Sequence, residues 1–356
     1  MLTHFVADLP APARPEEPLL SICIATYKRA MYIGATLEAI LDKLPEGVEV
    51  VILDGASPDN TAQVVEQFTR RNSTVRYIRE DVNSGVDVDF DKAVRFARGQ
   101  FCWLMSDDDI LVPGAVGQVL TRLERSLDLL VVNAQVRNDD LSVELTPRML
   151  EMTEDRVYDE KSSDAFLADT GTILAYIGAV VIRRSLWMER KREPYFGTLF
   201  IHVGVIFQAP LARVKVLAEP LILLRAGNSM WTSRGFEIWM FKWPNLIWSF
   251  DAFSDSAKMQ VVAREPWRQW RQLTMFRAIG AFSHAGYLQF FKAAGRGGVL
   301  QFVISVVPAA PANAMIAVYY YLANRKARTG IYDLVKSRNA SGVTRLVARL
   351  LDIPTR

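Results

Sequence analysis

Three consecutive carboxylates, Asp107, Asp108 and Asp109, follow Ser106 directly after the apolar run Phe101 to Met105 and shortly before Pro113-Gly114, which open a helical pattern. The run reads as a buried strand, so the acids leave its C-terminal end, where open α/β sheets bind ligands. Carboxylates this close repel one another unless a divalent cation or hydrogen-bond donors sit among them. The plainer alternative is a solvated acidic turn capping the next helix. Other strand-like runs also end in polar groups: Thr26-Tyr27-Lys28-Arg29 after the first, Asp54 after the second. In a parallel sheet these ends share one edge, and the groups converge on one crevice. A nucleotide needs hydrogen-bond partners for base and ribose and neutralisation of its diphosphate. A sugar nucleotide matches this inventory, with Mg²⁺ or Mn²⁺ bridging aspartates and phosphates.

The elements that must position these groups alternate. Leu19 to Thr26, Val48 to Leu53, Val75 to Ile78, Phe101 to Met105 and Leu127 to Val132 read as strands. Met31 to Leu44, a stretch from Ser57-Pro58-Asp59, Val86 to Arg98 and Pro113 to Arg125 read as helices. That order predicts an α/β fold, a Rossmann-like domain with a mainly parallel sheet covered on both faces. Tyr176 to Arg183 is expected as a strand, and Val214 to Leu224 as one or two more. No Gly-x-Gly-x-x-Gly follows the first strand and no Walker A sequence occurs, which argues against a dinucleotide oxidoreductase and a P-loop NTPase.

With LLSICIATYKR, VVILDGASPDNTAQVV and CWLMSDDD in that order, residues 19 to 115 resemble the donor-binding half of family 2 glycosyltransferases of the GT-A fold. The resemblance rests on LLSICIATYKR, on VVILDGASPDNTAQVV with Ala56 where Gly or Asp is common, and on the order Asn83, Gly85, Ala97-Arg98-Gly99, Asp107 to Asp109. The wording GVDVDFDKAV and CWLMSDDD is most similar to abequosyltransferase-type enzymes of bacterial surface polysaccharides. The resemblance implies that Thr26 and Tyr27 line the nucleotide pocket, that Asp54 contacts the base, and that Asp107 lies near ribose or diphosphate. It also implies that Asp109 ligates a divalent metal with Asp107, and that Arg29, Lys92 and Asp108 join the donor-binding set. Asp59 is the residue for which stabilising a helix N-terminus is the stronger reading. Asp87 and Asp89, with Asp91, are expected on a loop or distorted turn facing the donor, or else on a solvated acidic face.

The chain departs from the resemblance where inverting members carry an acidic base. Phe196 to Val203 holds no carboxylate, and His202 is its one group titrating near neutrality. His202 is therefore the candidate base, with a buried core histidine as the alternative and a retaining mechanism if neither acid nor base acts there. Arg225 is expected at the diphosphate or the acceptor pyrophosphate.

Charge divides the chain. Residues 1 to 189 carry 19 basic against 31 acidic side chains, and residues 190 to 356 carry 23 against 8. Cys23 and Cys102, the only cysteines, sit inside apolar runs and read as core residues in a reducing compartment. Tryptophans 231, 239, 243, 248, 267 and 270, the uncharged stretch Val299 to Ala323 and the following Arg325-Lys326-Ala327-Arg328 have the composition of a membrane-interface element. Pro308, Pro311 and Asn313 make a poor straight span, and a re-entrant or surface-lying helical pair is favoured over a core element or a true span. The expected organisation is a loose leader (1–18), a glycosyltransferase domain (19–230, donor half 19–135, acceptor half 136–230) and a helical, basic, membrane-associating region (231–356). The expected function is metal-dependent transfer of a hexose or deoxyhexose from a nucleoside-diphosphate sugar to a glycan or polyprenyl-diphosphate-linked acceptor, at the cytoplasmic face of an anionic membrane and without nucleic acid. The rival from another class is a catalytically silent sugar-nucleotide-binding or scaffolding protein.

Overall fold

The computed structural model describes residues 17–228 and 234–355. Most of the expected leader, with His4, and Trp231 lie outside the described residues. The chain divides into two compact units. One comprises the residues up to Ala134, Arg148–Leu224 and Phe250–Ala257; the other comprises Gln135–Pro147, Arg225–Ser249 and Lys258–Arg356.

In the first unit strands and helices alternate as β1 (Leu20–Thr26), α1 (Ile33–Leu41), β2 (Val48–Asp54), α2 (Thr61–Thr69), β3 (Val75–Arg79), α3 (Val86–Phe96) and β4 (Phe101–Met105). There follow β5 (Ile110–Leu111), α4 (Ala115–Leu120), β6 (Leu129–Arg137), whose last residues belong to the second unit and pair within it with β7 (Glu144–Thr146), and β8 (Arg156–Tyr158). Then come α5 (Ser163–Thr170), β9 (Val180–Arg183), α6 (Arg184–Glu189), α7 (Ile201–Phe207) and β10 (Val214–Arg225). The sheet order is β3-β2-β1-β4-β9-β6-β10-β5. Its first four strands are parallel. Beyond β4, β9 runs antiparallel to both β4 and β6, and β10 antiparallel to β5.

The near-continuous apolar runs of β1, β2 and β4 follow from burial on both faces. Ile22, Ile24, Val50, Ile52, Trp103 and Met105 share one buried cluster with Ile33, Leu37 and Ile40 of α1. The entry to β4 is pinned. A Cβ on Gly99 would lie 2.7 Å from the backbone nitrogen of Ser21, so only glycine allows this approach. The Gly99 N–H donates to Ser21 Oγ at 2.8 Å, and the buried Glu49 accepts from Ser21 Oγ (2.7 Å) and from the Arg98 N–H (2.6 Å). The turn before β4 is thus fixed by β1 and β2, and with it the position at which the aspartates emerge.

Two expectations are corrected. The strand expected from Tyr176 begins only at Val180, because Ile173–Ala175 and Ile177–Ala179 form 3₁₀ turns that fold the Tyr176 side chain inward. Asp87, Asp89 and Asp91 belong to α3 and are buried, not set on a loop. Donors from residues 84 and 187 to 201 meet them there, which removes the penalty that drives such acids to the surface.

The second unit is helical and rich in aromatic packing. Phe236 stacks on Phe282 at 4.5 Å between centroids, within a cluster that includes Trp267, Leu273 and Phe291. Val299 to Ala323 forms two helices, Val299–Val306 and Ala309–Ala323, bent by 101° at the break before Pro308. Among the described residues no single helix is long and apolar enough to cross a membrane. Asn313, buried in the second of these helices, donates to the carbonyl of Leu334 at 3.0 Å and so ties it to Arg328–Lys336.

Candidate active site

The loops after β1 and β2 are joined by the polar residues of SPDNT. Ser57 Oγ accepts from the Lys28 N–H (3.0 Å), Thr61 Oγ1 from the Arg29 N–H (3.0 Å) and Asp59 Oδ2 from the Ala30 N–H (3.3 Å). Asp59 also accepts from the Thr61 hydroxyl at 2.6 Å, beside the start of α2. Lys28 and Ala56 take left-handed backbone at φ 58° and 63°, a region that disfavours any side chain with a Cβ. At Ala56 the chain accepts that strain. The Thr26 carbonyl accepts from the Gly55 N–H at 3.0 Å, holding the ends of β1 and β2 in register.

Asp54 is fully buried at the end of β2. Its Oδ1 accepts from the Ser57 N–H (2.7 Å), its Oδ2 from the Tyr77 hydroxyl (2.6 Å), and Arg79 Nε stands 4.0 Å away. Burial, and then the Asp54 bond, push the Tyr77 hydroxyl far above its ordinary value, so it is a permanent donor. Tyr77 and Arg79 were missed in the sequence. Both lie on β3, where alternation alone does not distinguish a side chain that serves its neighbour strand.

At the end of β4, one guanidinium faces two carboxylates. Arg29 Nε is 3.3 Å from Asp107 Oδ1, and Arg29 Nη2 is 3.1 Å from Asp108 Oδ2. Burial, and next the charge of Asp108, push the Asp107 carboxyl up to about 7 against the pull of Arg29. Asp109 Oδ2 accepts from the Tyr176 hydroxyl at 2.7 Å and from the Ser106 hydroxyl. The sequence-predicted Arg29, Asp107, Asp108 and Asp109 are therefore brought together at the C-terminal edge of the sheet, with Thr26 buried at the end of β1.

The other predicted residues sit elsewhere. Asp87 accepts from the N–H groups of Leu199 (2.8 Å) and Ile201 (3.1 Å), supplying partners for the start of α7. Asp89 accepts from Ser84 Oγ at 2.6 Å, and its Oδ2 occupies the space where a Cβ on Gly55 would be. Lys92 Nζ pairs with Glu80 at 2.7 Å. Asp91 pairs with the buried Arg192 at 2.9 Å and accepts from Trp187 Nε1 at 3.0 Å. Arg225 ends β10 in the second unit, where it donates to the Asp139 carbonyl. His202 is 1% exposed, its Nε2 lies 2.8 Å from the Leu174 carbonyl, and its Nδ1 is buried without a hydrogen-bond partner. Burial pushes the imidazole down to about 4, so the ring is neutral at pH 7.

Comparison with known proteins agrees with this frame. The family model for Glycosyl transferase family 2 matches residues 21–187. The chain is 26% identical over 231 residues to abequosyltransferase RfbV of Salmonella typhimurium, covering 61% of this chain and 69% of that one. It is 25% identical over 125 residues to the putative glycosyltransferase EpsH of Bacillus subtilis, of which it spans 36%. Among solved structures, residues 1–349 of S. aureus TarS match with a TM-score of 0.56 at 17% identity, over 95% of this chain and 93% of that one. The same TarS fragment in complex with UDP matches with a TM-score of 0.55.

Proposed function

We propose that the chain, whose residues 21–187 match the model for Glycosyl transferase family 2, is a glycosyltransferase that moves a hexose or deoxyhexose from a nucleoside-diphosphate sugar to a lipid-linked glycan of a bacterial surface polysaccharide. The observation that carries this reading is the cluster of Arg29, Asp107, Asp108 and Asp109 at the C-terminal edge of a parallel sheet. The similarity to an abequosyltransferase over most of both chains supports a deoxyhexose or hexose donor, and UDP bound to TarS supports a nucleotide in this fold.

The donor chemistry suits Mg²⁺ or Mn²⁺. Among the described residues no group of three metal-ligating side chains is assembled, but magnesium typically takes one or two carboxylates and completes its shell with phosphate oxygens and water. Asp107 and Asp109 offer hard oxygen donors, and a cation there relieves the burial and repulsion that hold the Asp107 carboxyl up at about 7. When bound, the metal supplies neutralisation of the diphosphate leaving group. In this reading Arg29 neutralises what Asp108 and the phosphates carry, Thr26 and Tyr27 line the nucleotide pocket, and Asp54 with Tyr77 forms the polar floor for the base. Incubation with UDP-, GDP- and CDP-linked sugars plus Mn²⁺ tests the proposal: one donor is expected to be hydrolysed slowly without acceptor. Stoichiometric nucleotide binding with no turnover on any donor or lipid-linked acceptor would instead favour the catalytically silent alternative.

The second unit supports attachment to the cytoplasmic face of an anionic membrane. Val299, Val303 and Val306 on one helix and Met315, Val318 and Leu322 on the next are exposed at helical spacing. Arg325 and Lys326 directly follow and are exposed, whereas Arg328 donates to the carbonyls of Leu351 and Asp352. Each cation near an anionic leaflet contributes about 1 kcal/mol, and salt screens that part alone. Full-length protein is expected to float with vesicles containing phosphatidylglycerol, less so in high salt, and Val303→Glu with Leu322→Glu should abolish flotation. Wild-type protein that stays in the soluble fraction overturns this part of the reading.

A further inference from the structure

We propose that Tyr176 is a positioning residue that fixes the carboxylate of Asp109, and that the buried His202 braces the turn carrying it. The inference rests on the role proposed above for Asp109 in donor and metal binding.

Tyr176 stands between two 3₁₀ turns, Ile173–Ala175 and Ile177–Ala179. Its hydroxyl and that of Ser106 donate to the same oxygen of Asp109. Two donors on one oxygen set the rotation of a carboxylate, as outer partners do for metal ligands generally. The ring has a prepared seat. A Cβ on residue 178 would lie 2.2 Å from Tyr176 Oη, so the ring folds over this position only because Gly178 has none. The Gly178 carbonyl in turn accepts from Trp103 Nε1 of β4 at 2.8 Å.

His202 holds the other end. The Leu174 carbonyl can only accept, so Nε2 carries the proton and donates to it at 2.8 Å. That turn immediately precedes Tyr176, and the helix bearing His202 is itself held at its start by Asp87. A neutral ring with both nitrogens buried, one of them bonded to the backbone, is built to hold a segment. A proton acceptor for a substrate hydroxyl needs a nitrogen within hydrogen-bond reach of it.

Titration of UDP, GDP and CDP by calorimetry, with Mn²⁺ and with chelator, separates the possibilities. Tyr176→Phe keeps the ring and removes the hydroxyl; Mn²⁺-dependent nucleotide affinity should fall about 10- to 100-fold while the unfolding midpoint stays near that of the wild type. His202→Leu should weaken the same affinity, and His202→Gln, which offers an N–H near the position of Nε2, should restore most of it. A general base behaves differently: both substitutions then lower turnover about 10²-fold or more with nucleotide affinity retained, since neither supplies a base. That outcome overturns the bracing role. Wild-type affinity in Tyr176→Phe, where the wild type itself needs Mn²⁺, overturns the positioning role alone. Wild-type binding indifferent to Mn²⁺ overturns the metal reading and this inference with it. If Tyr176→Phe does not fold, Ser106→Ala removes the other donor from the same oxygen and is read by the same titration.

Discussion

Asp109→Asn should abolish Mn²⁺-dependent nucleotide binding and lower turnover by about 10³-fold, the scale on which single groups that stabilise developing charge act. The substitution preserves shape. The Tyr176 and Ser106 hydroxyls still find an amide oxygen to donate to, so the turn after β4 has no reason to rearrange. What disappears is one negative charge from a segment where Arg29 already pairs with Asp107 and Asp108. The checks are calorimetric titration of nucleotide with Mn²⁺, hydrolysis of the preferred donor, and a thermal melt by circular dichroism. A melt unchanged from the wild type, together with unchanged binding, would reduce Asp109 to part of a structural turn.

The largest expected effect on stability lies away from the carboxylate cluster. Asp91 and Arg192 are both buried and meet at 2.9 Å, and Asp91 also accepts from Trp187. Arg192 further donates to the carbonyls of Trp187 and Met188, so its guanidinium is held whatever becomes of the aspartate. Asp91→Ala leaves that charge buried and uncompensated, which typically costs about 3–5 kcal/mol. For a unit of this size the melting temperature should fall by roughly 10 °C. The paired change Asp91→Leu with Arg192→Met should recover most of the loss, because replacing both charges by apolar groups leaves none unpaired. A single variant as stable as the wild type would mean that the carbonyls of Trp187 and Met188 suffice for the Arg192 guanidinium without Asp91.

Much of the first unit was legible because strand and helix periods differ and the runs are long. The ends of β1, β2 and β4 could be placed from apolar length and the polar residues that follow, and the cluster of Arg29 with the aspartates follows from that placement. Legibility failed where a polar side chain serves another segment. The three aspartates of α3 read as facing the donor or solvent because sequence spacing does not reveal that Leu199, Ile201, Trp187 and Arg192 come to meet them. Tyr176 looked like a strand residue because Tyr, Ile and Val have strand preference, and only the seat offered by Gly178 turns it inward. His202 was found for its type and place. Its environment, which decides what an imidazole does, is made by residues far along the chain.

The sheet order has a consequence for how the protein comes into being. β4, which delivers the aspartates, lies between a strand made early and one made late: Cys102 sits opposite Ser21 on one side and Ile182 on the other. Pairings so distant in sequence form slowly and close large loops. Until the ribosome has released β9, a growing chain carries β4 as an open edge, apolar on both faces and flanked by repelling carboxylates, and such edges invite association with other chains. Residues 173 to 179 emerge just before β9, and His202 shortly after it. A synthesis intermediate stalled before Val180 is thus a form of this protein with particular need of a chaperone, and the turns that set the geometry of Asp109 are made beside the strand that closes that edge.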